Sequence, residues 1–276
     1  MRIFVTGASG YIGTAVVREL IDAGHQVVGL TRSESGAHLL ESLGAEVARG
    51  VVEDLEFLRQ KAAASDGVIH LAFNHDFSNF AASLSADLRA IEALGGGLAG
   101  SGKPLVITAH ANGKASEDAA LSFIEQGVRA SIVSLAPSVH GEGDKGFVPQ
   151  LIRIARERGT SAYVGDGTNR WPAIHRLDAA VLFRLAVESA PAGSRLDGVG
   201  DEGIPFKDIA GVIGRHLDVP VVSIPHEEAQ AVFGFLGMVA SLDLARSSEG
   251  TKELLGWKPL QQGLLADLEQ GHYFIK

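Results

Sequence analysis

The chain has 276 residues, longer than the ~100–200 residues of a common single domain, and its 46% hydrophobic content is enough for a sizeable core. Its net charge of −9 opposes nucleic acid as a partner, and the absence of cysteine excludes disulfides, thiolate metal sites and a thiol nucleophile. No run nears the roughly 20 apolar residues that span a bilayer, and no signal-peptide layout opens the chain, so a cytoplasmic protein with no membrane partner is expected.

The first 140 residues alternate short apolar runs with longer helical patterns. RIFVTG reads as a strand, and YIGTAVVRELIDAG as a helix with Ile12, Val16 and Leu20 on one face. QVVGLTR and AEVARGVV are the next strands, each followed by a helix, SGAHLLESLG and EDLEFLRQKAAA. GVIHLAF is a fourth strand, followed by a helix near Phe80–Leu94. PLVITAH, the helix SEDAALSFIEQG and the strand ASIVSLAP complete the run. Apolar strands regularly separated by helices predict an α/β fold, a Rossmann-type doubly wound parallel sheet covered on both faces.

After Pro137 the rhythm loosens. VPQLIRIARERG, HRLDAAVLFRLAVESA and IPFKDIAGVIGRHL look helical, RLDGVG reads as a short strand, and the tail is helical around a Gly-Trp-Lys-Pro break. The expected division is residues 1–140 as a nucleotide-binding domain and 141–276 as mainly a small C-terminal substrate lobe, with some segments returning to the sheet.

The glycines Gly7, Gly10 and Gly13 fall between the first strand and the first helix. In that place Gly7 permits the tight turn, Gly10 lets backbone approach a pyrophosphate, and Gly13 allows close helix–strand packing. The intervening Ala8 and Ser9, with Tyr11 and Ile12 at the helix start, complete the candidate phosphate turn. Cofactor choice is read at the end of the second strand, where an NAD site carries an acid for the ribose hydroxyls. Here Arg32 and Ser33 stand instead, a guanidinium and a hydroxyl suited to a 2′-phosphate, so NADP(H) is favoured over NAD(H). After the third strand, Glu53 or Asp54 is a candidate for the adenine contact, unless that contact is lost.

TGASGYIG, GVIHLAF and NRWPAIHRLDAA together resemble the extended or atypical short-chain dehydrogenase/reductase superfamily, and more narrowly its NAD-dependent epimerase/dehydratase branch. The resemblance implies that the His70-Leu71-Ala72 segment, with Phe73, lies under the cofactor, and that Pro137 in LAPSVHGEGD passes the nicotinamide. It places the Arg170-to-Ala180 segment beside the substrate lobe, and LLGWKP resembles the family's C-terminal signature.

The family's proton relay is a Ser or Thr after the fifth strand, then Tyr-x-x-x-Lys on the next helix. The three tyrosines, Tyr11, Tyr163 and Tyr273, are not followed by lysine at that spacing, and none lies between the fifth and sixth strands. Thr108 can stand for the serine and is also a cofactor contact by this resemblance. His110 and Lys114 reproduce the four-residue spacing with imidazole in place of phenol, which makes His110 a candidate proton donor and Lys114 a candidate ribose ligand. The alternatives are a loop histidine without a chemical role and a charge at a helix start.

Other polar residues fall at the expected carboxyl edge of the sheet. His75 and Asp76 form a candidate acid–base pair or a capped loop, with Asn74 beside them as a substrate contact. His140, Trp171 and His175 are candidates to line the substrate pocket. Asp87 is open to a structural or a catalytic reading, and Phe233, Phe235 and Met238 at helical spacing read as lobe packing or a dimer face. The dispersed histidines have no metal-ligand spacing, so no metal is expected.

These residues point first to an NADPH-dependent oxidoreductase of a small organic carbonyl or imine substrate, with a non-standard proton donor, as a monomer or homodimer. Two alternatives stay open: a non-redox isomerase, dehydratase or cyclase on the same fold, and an NADP(H)-binding sensor without turnover.

Overall fold

The structure, a computed structural model, describes residues 1–74 and 79–275. The chain opens with strictly alternating elements: β1 (Arg2–Thr6), α1 (Tyr11–Asp22), β2 (Gln26–Thr31), α2 (Glu34–Ser42), β3 (Glu46–Arg49) and α3 (Leu55–Ala63). The alternation continues through β4 (Gly67–His70), α4 (Phe80–Leu98), β5 (Pro104–Thr108), α5 (Lys114–Ser122) and β6 (Arg129–Leu135). Next come β7 (Ser138–His140), α6 (Phe147–Arg158), β8 (Ser161–Val164), β9 (Arg170–His175), α7 (Arg176–Ser189) and β10 (Arg195–Gly198). The chain then forms β11 (Asp201–Pro205), α8 (Phe206–Leu217), β12 (Val221–Ile224), α9 (Ala229–Phe233), α10 (Leu236–Ala240), α11 (Glu249–Leu255) and α12 (Leu264–Glu269).

Two compact units divide these elements. The first comprises Met1–Ser134, Ala179–Leu196 and Gly250–Trp257; the second takes Leu135–Asp178, Asp197–Glu249 and Lys258–Lys276. A seven-stranded sheet of order β10-β6-β5-β4-β1-β2-β3 organises the first unit. From β3 through β1 to β6 every adjacent pair is parallel. Ile3, Phe4 and Val5 are all fully buried, so successive side chains on both faces of β1 are covered, as a parallel sheet requires. Phe4, Val28, Leu58, Ile91, Leu94 and Leu105 belong to one apolar cluster against α3 and α4. The strand order reverses direction at β1 and β4, which makes the carboxyl ends of these two strands a topological switch point.

The Arg129 guanidinium donates to the carbonyls of Ala186, Val187, Glu188 and Ala190, closing the last turn of α7 where carbonyls lack helical partners.

The second unit is more stranded than its sequence suggests. The sequence reads the second half of the chain as helical with one short strand at RLDGVG, which is β10 and joins the large sheet; β7, β8, β9, β11 and β12 are additional. They form a three-stranded sheet β11-β9-β7 and a two-stranded pair β12-β8. Each runs for only three to six residues without a clean in–out alternation, so the period-2 signal is too short to read. Trp171, Phe206, Phe233, Leu236, Leu264 and Leu268 form the unit's core. Of the apolar trio at helical spacing, Phe233 is in this core, while Phe235 and Met238 are exposed.

Candidate active site

The glycine-rich turn joins β1 to α1 at the switch point. Gly7 has φ +67°, a left-handed conformation, and a Cβ there would lie 2.8 Å from Leu71 C and Ala72 N. A Cβ on Gly13 would run into the Gly7 carbonyl oxygen, so this position sets the close approach of helix to turn. The Gly10 N–H donates to Gly7 O at 3.0 Å, and α1 starts at Tyr11 with no side-chain cap and no acid in its first turn. Its first N–H groups and the positive end of its dipole are therefore left for an anion. Ser9, Tyr11 and Ile12 are partly exposed at this rim. Ala8 is fully buried, because the turn directs its methyl into the sheet layer near Gly29, which leaves its backbone as the part that faces the turn.

A nook of hydroxyls adjoins the turn. Ser9 Oγ and Thr31 Oγ1 are 3.3 Å apart, and Gly36 in α2 faces them so closely that a Cβ would meet Thr31 Oγ1. Ser33 Oγ accepts the Gly36 N–H at 3.0 Å and caps α2. Arg32 is exposed and forms no ion pair among the described residues. The nearest acid, Glu34, is turned to Arg49 at 2.5 Å, and the hydrogen bond and charge of Arg49 hold its carboxyl below the usual range. Asp54 caps α3, accepting the Phe57 N–H at 3.1 Å, which accounts for one of its oxygens.

Beneath the turn lies a buried polar chain. Thr6 pairs with His70 across the β1–β4 register, and Thr6 Oγ1 is 2.7 Å from His70 Nδ1. The same oxygen accepts the N–H groups of Leu71 and Ala72, each at 3.3 Å. Both lone pairs are then occupied, so the Thr6 hydroxyl donates to His70 Nδ1. His70 therefore carries its proton on Nε2 and donates it to Asp87 Oδ1 at 3.2 Å. Burial opposes the charge on Asp87, but the hydrogen bond of His70, with Ser116 and His110 adding to it, outweighs it and holds the carboxyl below its ordinary value. His110 Nε2 lies 4.0 Å from the same Asp87 oxygen, and its ring stacks on Phe73 with centroids 3.9 Å apart.

Sequence reasoning singled out His110 and Phe73 and placed His70 only within the segment under the cofactor; it assigned no part to Thr6, Thr31 or Gly36. The signal for Thr6 and His70 was present: a hydroxyl residue just before Gly7 and a histidine ending the fourth strand must be neighbours when those strands pair.

Other expected residues are dispersed. Thr108 Oγ1 donates to His70 O at 3.2 Å, so its hydroxyl ties β5 to β4. Lys114 is turned outward, 80% exposed, with both Asp118 oxygens at 2.8 Å; the i,i+4 spacing draws it to that carboxylate at the helix start. Leu71 and Ala72 line the back of the turn, Asn74 is exposed, and His75 and Asp76 lie outside the described residues.

In the second unit, Pro137 is partly exposed between β6 and β7. Trp171, expected to line a pocket, is a core residue whose Nε1 donates to Val239 O at 3.2 Å; its bulk is fully enclosed beside Phe206. His140 is likewise buried, with Nδ1 2.8 Å from Asp267 Oδ2. His175 is partly exposed, stands edge-on to His140, and accepts the Leu177 N–H; burial and the His140 charge push its pKa down. Burial pushes the Asp144 carboxyl up, against the opposing hydrogen bonds of Gly146 N–H and Tyr273. Among the described residues, no group of three or more His, Asp or Glu side chains is arranged to hold a metal ion, and no helix is long and apolar enough to cross a membrane.

A parallel sheet of this order with a glycine turn at its switch point defines an enzyme of the extended short-chain dehydrogenase/reductase type. The chain belongs to the NAD-dependent epimerase/dehydratase family, whose pattern residues 3–91 match. An uncharacterized protein of Schizosaccharomyces pombe is 48% identical over 99% of this chain and 100% of its own length. A 2-alkyl-3-oxoalkanoate reductase of Stenotrophomonas maltophilia is 29% identical, covering 80% of this chain and 77% of that protein. In fold, the chain is similar to the dTDP-glucose 4,6-dehydratase DesIV of Streptomyces venezuelae, solved with NAD bound, with a TM-score of 0.77 over 99% of this chain and 96% of that one at 16% identity.

Proposed function

We propose that this protein is an NADPH-dependent reductase of small organic carbonyl compounds in which His110 donates the proton. The observation that carries the reading is the imidazole of His110, 4.0 Å from the buried Asp87 carboxylate, just past the carboxyl end of the strand after which the family keeps its relay.

The residues present fit a dinucleotide. The backbone cradle at Gly7 has no room for a Cβ, and the uncapped start of α1 offers N–H groups to a pyrophosphate. Arg32, unpaired among the described residues, offers a guanidinium to a 2′-phosphate, while Glu34 is neutralised by Arg49 instead of presenting its charge there. When bound, the reduced nicotinamide supplies a hydride. His110 supplies the proton that the carbonyl oxygen takes up as the C=O double bond becomes an alcohol, and the imidazolium becomes imidazole. The similarity to a 2-alkyl-3-oxoalkanoate reductase supports a 3-oxo acid or its ester as the substrate class.

The test compares two acceptors, ethyl 2-methyl-3-oxobutanoate and the cyclic imine 2-methyl-1-pyrroline, following NADPH absorbance. The ketone needs a proton at its oxygen, whereas the iminium form accepts hydride at carbon without one. His110→Gln is expected to lower kcat for the ketone about 10²–10⁴-fold and to spare the imine. No NADPH consumption with either acceptor overturns the reductase reading. Equal loss for both, or no loss for either, overturns the role of His110. Product formed without net change in NADPH favours a non-redox isomerase, dehydratase or cyclase.

A further inference from the structure

We infer that the groove between α6 and α9 binds a single-chain alkyl carboxylate, with the chain against Phe233 and Phe235 and the carboxylate on Arg158. Every residue involved lies in the second unit, so the inference stands apart from the reading of His110.

The groove has an apolar floor. Ile154 of α6 and Val232 and Phe233 of α9 line it, and Phe235, two residues past Phe233, forms a wall. Phe233 belongs to the core of the unit, whereas Phe235 keeps 53% of its surface exposed. Gly234 separates the two rings with φ +60° and ψ −133°, and nothing lies within 4 Å of where its Cβ would be. Backbone conformation, not crowding, therefore favours glycine there, in a sharp turn between the two rings. From Ala229 to Leu242 the chain carries no charged residue, and the exposed Met238 and Leu242 continue the apolar character along α10. The groove has a volume of about 250 Å³, below the roughly 300–1,000 Å³ of sites for drug-sized ligands. That size suits one slender chain.

The rim selects the sign of the ligand. Its charged side chains are Arg153, Glu157 and Arg158. Arg153 Nη1 donates to Glu157 Oε1 at 2.8 Å, so this i,i+4 pair is neutral. Arg158 donates to the Ala231 carbonyl, which fastens the end of α6 to α9, and it forms no ion pair among the described residues. A guanidinium has five N–H groups, so one bond to a carbonyl leaves its charge and most of its donors for an anion. In a chain of net charge −9 this is a local cation beside an apolar trough. A carboxylate on an alkyl chain matches both features; an uncharged chain leaves the cation unused, and a hydrophilic anion leaves the floor unused.

The test uses octanoate as the probe, with the full chain. Phe235→Trp places a fluorescent reporter in the wall, and the native Trp171 and Trp257 are fully buried and give a constant background. Octanoate is expected to shift the reporter's emission to the blue saturably, with a Kd of about 1 mM or tighter. 1-Octanol and octylammonium should bind at least about threefold more weakly. Hexanoate, with two methylenes fewer, should bind about three- to tenfold more weakly than octanoate. Arg158→Gln should erase the preference for octanoate over 1-octanol, and Arg158→Lys, which keeps the charge, should retain it. Calorimetry on the unsubstituted protein is expected to give the same order of ligands. No saturable shift by about 10 mM octanoate overturns the site. Equal affinity for octanoate and 1-octanol overturns the role of Arg158 and with it the carboxylate. Equal affinity for hexanoate and octanoate overturns the apolar floor as the seat of the chain. These comparisons vary the ligand, so they decide the matter even if Arg158→Gln disturbs the turn fastened at Ala231.

Discussion

Thr6 Oγ1 and His70 Nδ1 meet at 2.7 Å between the carboxyl ends of two adjacent parallel strands, and the same hydroxyl collects two backbone N–H groups from the segment that follows β4. One small side chain therefore satisfies three donors or acceptors, one buried and two partly buried. Thr6→Val keeps the shape and removes all three partners at once. Leaving buried polar groups unpaired costs about 1–3 kcal/mol for each, partly relieved here because Leu71 N–H also reaches Thr6 O. Thr6→Val is expected to lose about 2–4 kcal/mol in urea unfolding with an unchanged m-value, and Thr6→Ser to remain within about 1 kcal/mol of wild type. A valine variant as stable as wild type would show that the hydroxyl is not the hub the distances describe.

Arg32 separates the two nicotinamide dinucleotides on the proposed reading. It is exposed at the end of β2 and makes no ion pair among the described residues, so folding does not consume its charge. Arg32→Ala should weaken NADPH binding about 10–100-fold, the worth of a charge-assisted hydrogen bond of about 1.5–3 kcal/mol. NADH, lacking the 2′-phosphate, should bind within about twofold of wild type. Fluorescence titration of the two reduced cofactors checks this; equal losses would move the guanidinium away from the 2′-phosphate.

The first half of the chain was legible because its signals are local and repeated. The inner strands β1, β2, β4, β5 and β6 are apolar runs covered on both faces, and polar or glycine-containing turns separate them from the crossover helices. Gly7 and Gly13 could be read from their spacing together with their place between the first strand and the first helix, because both answer to backbone constraints that sequence exposes. Side-chain pairing was not legible in the same way. Lys114 and His110 share the family's spacing, yet Asp118 one helical turn on draws the lysine outward while Asp87, 23 positions before His110, meets the histidine. Trp171 and His140 looked like pocket residues by resemblance, but their exposure depends on short strands of β7 and β9 that carry no readable periodicity.

Asp144 gives a pH dependence to the second unit. Burial raises its carboxyl pKa above the unfolded value despite the Gly146 N–H and Tyr273 hydrogen bonds, so folding favours the protonated form. A group raised in this way contributes stability that is complete below the unfolded value of about 3.9 and is lost as pH rises through the folded one. Asp144→Asn can still accept from Gly146 and carries no charge. Relative to wild type it should therefore gain stability between pH 4 and pH 7, by up to about 1.4 kcal/mol for each unit by which the pKa is raised. Urea midpoints measured at both pH values check this, and a variant that loses ground toward neutrality would contradict the sign.

Gly7 and Gly24 form a matched pair for testing the close approach at the turn. Both have positive φ, +67° and +85°, so alanine at either position pays the left-handed backbone cost of about 1–2 kcal/mol. They differ in what a Cβ would meet: at Gly24 nothing lies within 4 Å, whereas at Gly7 the backbone of Leu71 and Ala72 lies 2.8 Å away. Backbone cannot rotate aside as a flexible side chain can, and one of these atoms, Ala72 N, carries an N–H held by Thr6. Gly24→Ala should lose only the conformational cost and leave NADPH affinity unchanged. Gly7→Ala should lose about 1–3 kcal/mol more, and should weaken NADPH at least about tenfold as the displaced segment deforms the proposed phosphate cradle. Paired unfolding curves and cofactor titrations separate the two effects, and equal behaviour of the two variants would mean that the turn yields without disturbing what it holds.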